Sequence, residues 1–166
     1  MNNNKRHSWE EYFLDITSLV GTRATCIRRK IGAIIVKDKR ILTTGYNGSS
    51  STLQDCVEIG HCMREELGIP SGEQQQICRA IHAEENCIIQ SALYGVSIKN
   101  SVLYCTNQPC VMCMRKIINC KFKRLVYLGA YPDKYAMSLL KECPMTMNTV
   151  DIGKYTNVTN VNFDWK

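Results

Sequence analysis

Apolar residues recur at helical spacing at Trp9, Phe13, Ile16 and Val20, behind Ser8 and Glu11, which can cap a helix start reciprocally. The pattern predicts a first helix over residues 8–27. The period then changes to that of strands: "IGAIIV" at 31–36 and "RILTTGYNG" at 40–48, separated by the polar "KDK", predict a β-hairpin. From 49 to 80 neither period is present and Ser, Gly and Gln are frequent. A connection that long within one domain is usually functional or held by something. Helical and strand patterns then alternate: a helix over 82–94, a strand at "VLYCT", a helix from Pro109 to about Cys120, a strand at "RLVYLG", a helix over 134–142 and a last strand near "NTVDI". Alternation implies parallel pairing and the hairpin antiparallel pairing, so the expected α/β fold is a mixed sheet covered by helices. No internal repeat interrupts the pattern.

Composition narrows this picture. At 166 residues the chain is read as a single domain, 1–166, able to bury its own core. The opening "MNNNKRH" has charge but no apolar segment behind it, and no window approaches a membrane span. A cytoplasmic protein with no membrane partner is therefore expected. In such a chain ten cysteines point to metal or redox chemistry rather than disulfides, and zinc is the first hypothesis. The net charge of +6 is spread along the sequence apart from "RRK" at 28–30 and "KFKR" at 121–124, so an anionic small molecule accounts for it as well as nucleic acid does.

Two short stretches carry the chemistry. "QPCVMC" puts Cys110 and Cys113 in the first turn of a helix, where both sulfurs share a face and can grip one ion, although a CxxC can also be a redox pair or two buried thiols. "IHAEENCII" puts His82 and Glu84 at the mouth of another helix, where unpaired N–H groups and the dipole favour negative charge. Two thiolates and a neutral imidazole make a neutral three-ligand set for Zn²⁺ with one open position, as in a catalytic zinc site. Glu84 is then better left unligated, as the general acid–base that moves protons for an activated water. HxE followed by PCxxC is the pattern of zinc-dependent base deaminases.

With "CIRRKIGAIIVKDKRILTTGYNG", "IHAEENCII" and "LYCTNQPCVMC" in place, the chain resembles the deoxycytidylate (dCMP) deaminase family of the cytidine deaminase superfamily, from about Thr22 to about Leu140. The resemblance implies a three-layer α/β/α fold with a five-stranded mixed sheet, and hydrolysis of dCMP to dUMP and ammonia, which supplies dUMP for thymidylate synthesis. It implies that Ala83, through its backbone N–H, and the loop before Pro109 recognise the base and that Asn47 contacts the sugar, although Asn-Gly is also a turn signal in its own right. For the phosphate the candidates are Arg28, Arg29 and Tyr131; an arginine on a solvated face, or beside a structural metal, and a tyrosine capping the sheet are the plain alternatives.

Of the remaining cysteines, Cys87, Cys105, Cys120 and Cys143 lie in apolar patterns or near a helix end, as small buried hydrophobes do. Cys26, Cys56, Cys62 and Cys78 bracket the aperiodic stretch. Spacing leaves their role open, with His61 a competing ligand, and the resemblance implies a second, structural zinc on these four. It also implies a homo-oligomer, a hexamer in relatives, and dCTP and dTTP as effectors with Mg²⁺. Here "SSST" follows "GYNG" where relatives often carry Pro and Gly, which leaves regulation open. Two rival readings stand beside this one: a deaminase of another cytosine compound, a riboflavin precursor or tRNA adenosine, and a non-catalytic zinc-binding interaction module. Few aromatic residues, 8% of the chain, disfavour the nucleic-acid substrate.

Overall fold

The computed structural model describes residues 6–70, 72–129 and 133–143, and the backbone of 146–150. Helix α1 (Trp9–Gly21) starts with the expected capping box: Glu11 N–H donates to Ser8 Oγ at 3.2 Å and Ser8 N–H to the Glu11 carboxylate at 2.7 Å. It ends at Gly21 rather than continuing to 27, because the chain must turn there onto β1 (Gly32–Lys37). A Cβ on Gly32 would lie 2.1 Å from the Thr17 carbonyl oxygen and 2.6 Å from the Gly21 nitrogen, so helix end and strand start meet main chain to main chain.

β1 and β2 (Arg40–Tyr46) form the hairpin. Its turn is the dipeptide Asp38-Lys39, both at positive φ (49° and 60°), as a two-residue turn that follows strand twist requires. The stretch without a period resolves into short pieces: β3 (Gly48–Ser49), α2 (Cys56–Ile59), α3 (Met63–Glu66), a single 3₁₀ turn (Gln75–Ile77) and β4 (Ala80–Ile81), which pairs back on β3. Local devices hold it. Asp55 Oδ1 accepts from Val57 and Glu58 N–H, both at 2.9 Å, and the Arg64 guanidinium donates to the carbonyls of Pro70 and Glu73.

The second half follows the predicted alternation: α4 (Ala83–Leu93), β5 (Val102–Cys105), α5 (Val111–Asn119), β6 (Arg124–Leu128), α6 (Lys134–Lys141) and β7 (Thr146–Val150). The main sheet has five strands in the order β2-β1-β5-β6-β7, with β1 antiparallel to both its neighbours and β5, β6 and β7 parallel. Successive residues of a strand point to opposite faces, and here both faces are covered. Ile34, Val36, Tyr104, Val126 and Leu128 pack with Phe13 and Leu14 of α1. Ala33, Ile35, Leu103, Cys105, Leu125 and Tyr127 pack against residues of α4, α5 and α6. The result is the expected three-layer α/β/α arrangement. Among the described residues no helix is long and apolar enough to cross a membrane.

Candidate active site

The ladder of β3 with β4 delivers the chain directly to His82, the N-cap of α4, in extended conformation (φ −72°, ψ 154°). α4 is sewn to the edge strand β2: the Asn86 amide donates to the Tyr46 carbonyl at 2.7 Å, and Thr44 N–H donates to Gln90 Oε1 at 3.0 Å. Gly45 lets the two approach, since a Cβ there would lie 2.3 Å from the Ala83 carbonyl oxygen and 2.7 Å from the Cys87 nitrogen. The strand β5 leads through Thr106–Pro109 to Cys110, the N-cap of α5 in the same extended conformation (φ −72°, ψ 169°). Neither N-cap residue is a Ser, Thr, Asp or Asn of the usual capping kind. Both are turned to each other instead, and Lys116 on α5 pairs with Glu85 on α4 at 2.6 Å.

His82 Nδ1 lies 3.4 Å from Cys110 Sγ and 3.4 Å from Cys113 Sγ, and the three ligand atoms lie within 4.8 Å of one another. Tetrahedral zinc, at about 2.3 Å from sulfur and 2.0 Å from nitrogen, needs S···N separations of about 3.5 Å. The donor set therefore fits zinc in both chemistry and spacing. Glu84 is buried and stands outside that three-residue group. Burial pushes its carboxyl pKa up, against the opposing pull of the His82 ring. The Cys113 thiol donates to Cys110 and so draws the Cys110 pKa down to about 4, helped by His82, while the same bond and burial raise Cys113. Burial alone would lower His82, but the Cys110 sulfur and the Glu84 and Glu85 carboxylates outweigh it and raise it.

His82, Glu84 and Cys110 line a cavity, together with Ala83, Asn47, Asn107 and Gln108 and with four arginines, Arg28, Arg29, Arg64 and Arg79. Arg28 Nε pairs with Glu65 at 3.2 Å while its Nη1 is buried with no hydrogen-bond partner, and so is Arg64 Nε. Asn107 Oδ1 is buried and unpartnered too. Asn47 is largely committed to the fold: its Oδ1 accepts from Ile31 N–H at 2.7 Å and its Nδ2 donates to the Arg29 carbonyl at 2.9 Å. The amide that the sequence offered as a sugar contact or a turn residue thus fastens the segment leading into β1, with one N–H and one lone pair left. Tyr131 lies outside the described residues.

Cys26, Cys56, Cys62 and Cys78 line the same cavity. They are close enough that Cys26, Cys62 and Cys78 add to the burial that raises the Cys56 pKa, with Arg79 opposing. No three of their sulfurs, among the described residues, gather within 4.8 Å as the first set does. The donor set suits zinc; the spacing is wider than coordination needs. His61 is turned to Glu66, at 3.7 Å. Cys87 and Cys105 are fully buried, and the Cys87 thiol donates to the Ala33 carbonyl at 3.2 Å. A residue that pattern reading passed over is Asp133, which bonds the first turn of α5 from across the fold; the signal was an Asp immediately before an amphipathic run, which reads only as a cap.

A mixed sheet between helix layers, with a His-Cys-Cys group at two helix mouths, defines the zinc deaminase class of α/β proteins. The sequence pattern described as the cytidine and deoxycytidylate deaminase zinc-binding region matches residues 7–129, and the chain belongs to this family. It is 35% identical over 140 residues to the deoxycytidylate deaminase of Schizosaccharomyces pombe, a match covering 84% of this chain and 43% of that protein. The chain thus spans less than half the length of that relative. It is 34% identical over 149 residues to ComE operon protein 2 of Bacillus subtilis, covering 89% of this chain and 74% of the relative. Among solved structures, the dCMP deaminase from cyanophage S-TIM5 in complex with dCMP and dUMP aligns with a TM-score of 0.73 and 26% identity, covering 89% of this chain and 100% of the phage chain.

Proposed function

We propose that the chain deaminates dCMP by hydrolysis, giving dUMP and ammonia. One observation carries the reading: an imidazole and two sulfurs at zinc-ligand spacing, with a buried carboxyl outside the ligand set, at a cavity also lined by arginines. His82, Cys110 and Cys113 hold zinc. Bound there, zinc supplies Lewis acidity, which makes water a nucleophile near neutral pH. Glu84 would take a proton from the attacking water and give it to N3 of the pyrimidine, then take the proton of the new C4 hydroxyl and pass it to the amine, which leaves as ammonia when the C4–N bond breaks and the carbonyl forms. A carboxyl with a raised pKa suits this exchange, because it can hold the proton between steps. The Ala83 N–H, unpaired in the first turn of α4, and the loop before Pro109 orient the base, and the unused N–H of Asn47 faces the sugar.

The phosphate is assigned to the arginines that line the cavity. Arg28 is the strongest candidate because its Nη1 is a buried donor with no partner, which a phosphate oxygen would satisfy. Arg29 lines the same wall, and Tyr131 stays a candidate on the family resemblance alone. The relatives named deoxycytidylate deaminase, and the phage structure with dCMP and dUMP, support this choice of substrate. Cys26, Cys56, Cys62 and Cys78 are assigned to a second, structural zinc that draws their sulfurs together. The chain acts as one domain over 1–166 and as a homo-oligomer, a hexamer on the family resemblance, in the cytoplasm; dCTP and dTTP with Mg²⁺ are its proposed effectors.

Ammonia release from dCMP, CMP, deoxycytidine, dCTP and a tRNA substrate, each with and without dCTP and dTTP, tests the reading. The expected result is the highest kcat/KM on dCMP. Preference for deoxycytidine would remove the phosphate assignment, and no release from any of them would remove the enzyme.

A further inference from the structure

Asp133 joins two helix mouths. Its Oδ1 accepts from Tyr135 N–H and Ala136 N–H, both at 3.0 Å, which caps α6. Its Oδ2 accepts from Val111 N–H at 2.8 Å, and Val111 is the first residue of α5, directly after Cys110. The same residue meets the β5–α5 connection a second time, where Gln108 Nε2 donates to the Asp133 carbonyl oxygen at 3.5 Å. A first-turn N–H has no partner inside its own helix, and the first of them lies outside the reach of an N-cap side chain, which bonds the second or third; Asp133 satisfies it from another element. Cys110, the N-cap of α5, turns its sulfur to His82. A residue from α6 thus fixes the main chain next to Cys110.

We infer that Asp133 is a positioning residue: it fixes the first amide of α5, directly after Cys110, and thereby holds the Cys110 and Cys113 sulfurs at ligand spacing to His82. This rests on the assignment of His82, Cys110 and Cys113 as zinc ligands. The carboxylate is the side chain the task needs, because two oxygens must accept from two separate helix mouths. An asparagine satisfies one mouth but presents a donor to the other, and the two amides of α6 against one of α5 keep the oxygen on α6. A serine hydroxyl caps α6 and is too short to serve both. Both substitutions therefore retain an ordinary cap on α6 while breaking the link to α5.

Zinc retention separates this from a merely structural cap. Wild-type enzyme, Asp133→Asn and Asp133→Ser are titrated with a chelator that competes for zinc, and the thermal unfolding midpoint of each is recorded beside it. The expected result is loss of the catalytic ion at about tenfold lower chelator concentration in both variants, with the midpoints close to wild type. Wild-type zinc retention in both variants overturns the inference, as does weakened retention matched by a general loss of stability. If the wild type itself binds no zinc at His82, Cys110 and Cys113, judged against a Cys110→Ala control, the ligand assignment fails and the inference with it. Should neither variant fold, hydrogen exchange at the Val111 amide of the wild type decides: protection well beyond that of an exposed first-turn amide is expected, and unprotected exchange overturns the link.

Discussion

The proposed role of Glu84, the transfer of protons, rests on a carboxyl that is buried and stands outside the group of His82, Cys110 and Cys113, three side chains placed to hold a metal ion. Glu84→Gln keeps the volume and removes the titrating oxygen, so the variant is expected to fold and carry wild-type zinc while deamination falls by at least about 100-fold. Zinc content and steady-state turnover check this together; wild-type turnover would strip Glu84 of its role. That His82, Cys110 and Cys113 come together, with Glu84 buried, was legible in the sequence because the pattern is written in local spacing, two residues in one case and three in the other. Asn47 was legible only in part. Its amide is satisfied by the main chain of Arg29 and Ile31, and partners at such separations leave no trace in a local pattern. Asp133 is the extreme case: a short-range cap by sequence, and a bond to Val111 across the fold by structure.

At the scale of elements, the site depends on how closely β2 and α4 can approach. Gly45→Ala would drive a methyl into the main chain of Ala83 and Cys87, the stretch that aims His82 and Glu84. The expected outcome is destabilisation by about 1–3 kcal/mol, from overpacking that main chain cannot yield to, together with a fall in kcat. Urea unfolding and turnover measure the two; an alanine variant with native stability would mean that the contact carries no constraint. Glycine contacts also mark where helix prediction fails. The apolar period of the first helix runs past Gly21, but the helix stops there because Gly32 lies against it, a tertiary demand that propensity does not register. The strands and the helices of the second half were readable because each must bury apolar side chains at its own period. The segment from 49 to 80 was not, since its capping box and carbonyl-bound arginine organise it without any period to detect.

The whole molecule brings two sets of thiols to one cavity, and their unequal spacing sets the final expectation. Elemental analysis of the purified protein is expected to give about two zinc ions per chain, one for each set. Removal of zinc from Cys26, Cys56, Cys62 and Cys78 should loosen 49–80, read as faster proteolytic cleavage within that stretch. A single ion per chain with 49–80 equally resistant before and after chelation would leave the second set as ordinary buried thiols.

The position of β1 in the sheet bears on synthesis as well. It is apolar on both faces and lies between β2, which follows it at once, and β5, which arrives about seventy residues later, an interval of several seconds at ordinary elongation rates. The nascent hairpin therefore leaves the ribosome with one side of its inner strand unpaired, a template on which another chain can add. Yield in a rapidly translating host should accordingly depend on chaperone supply more than on the stability of the finished protein.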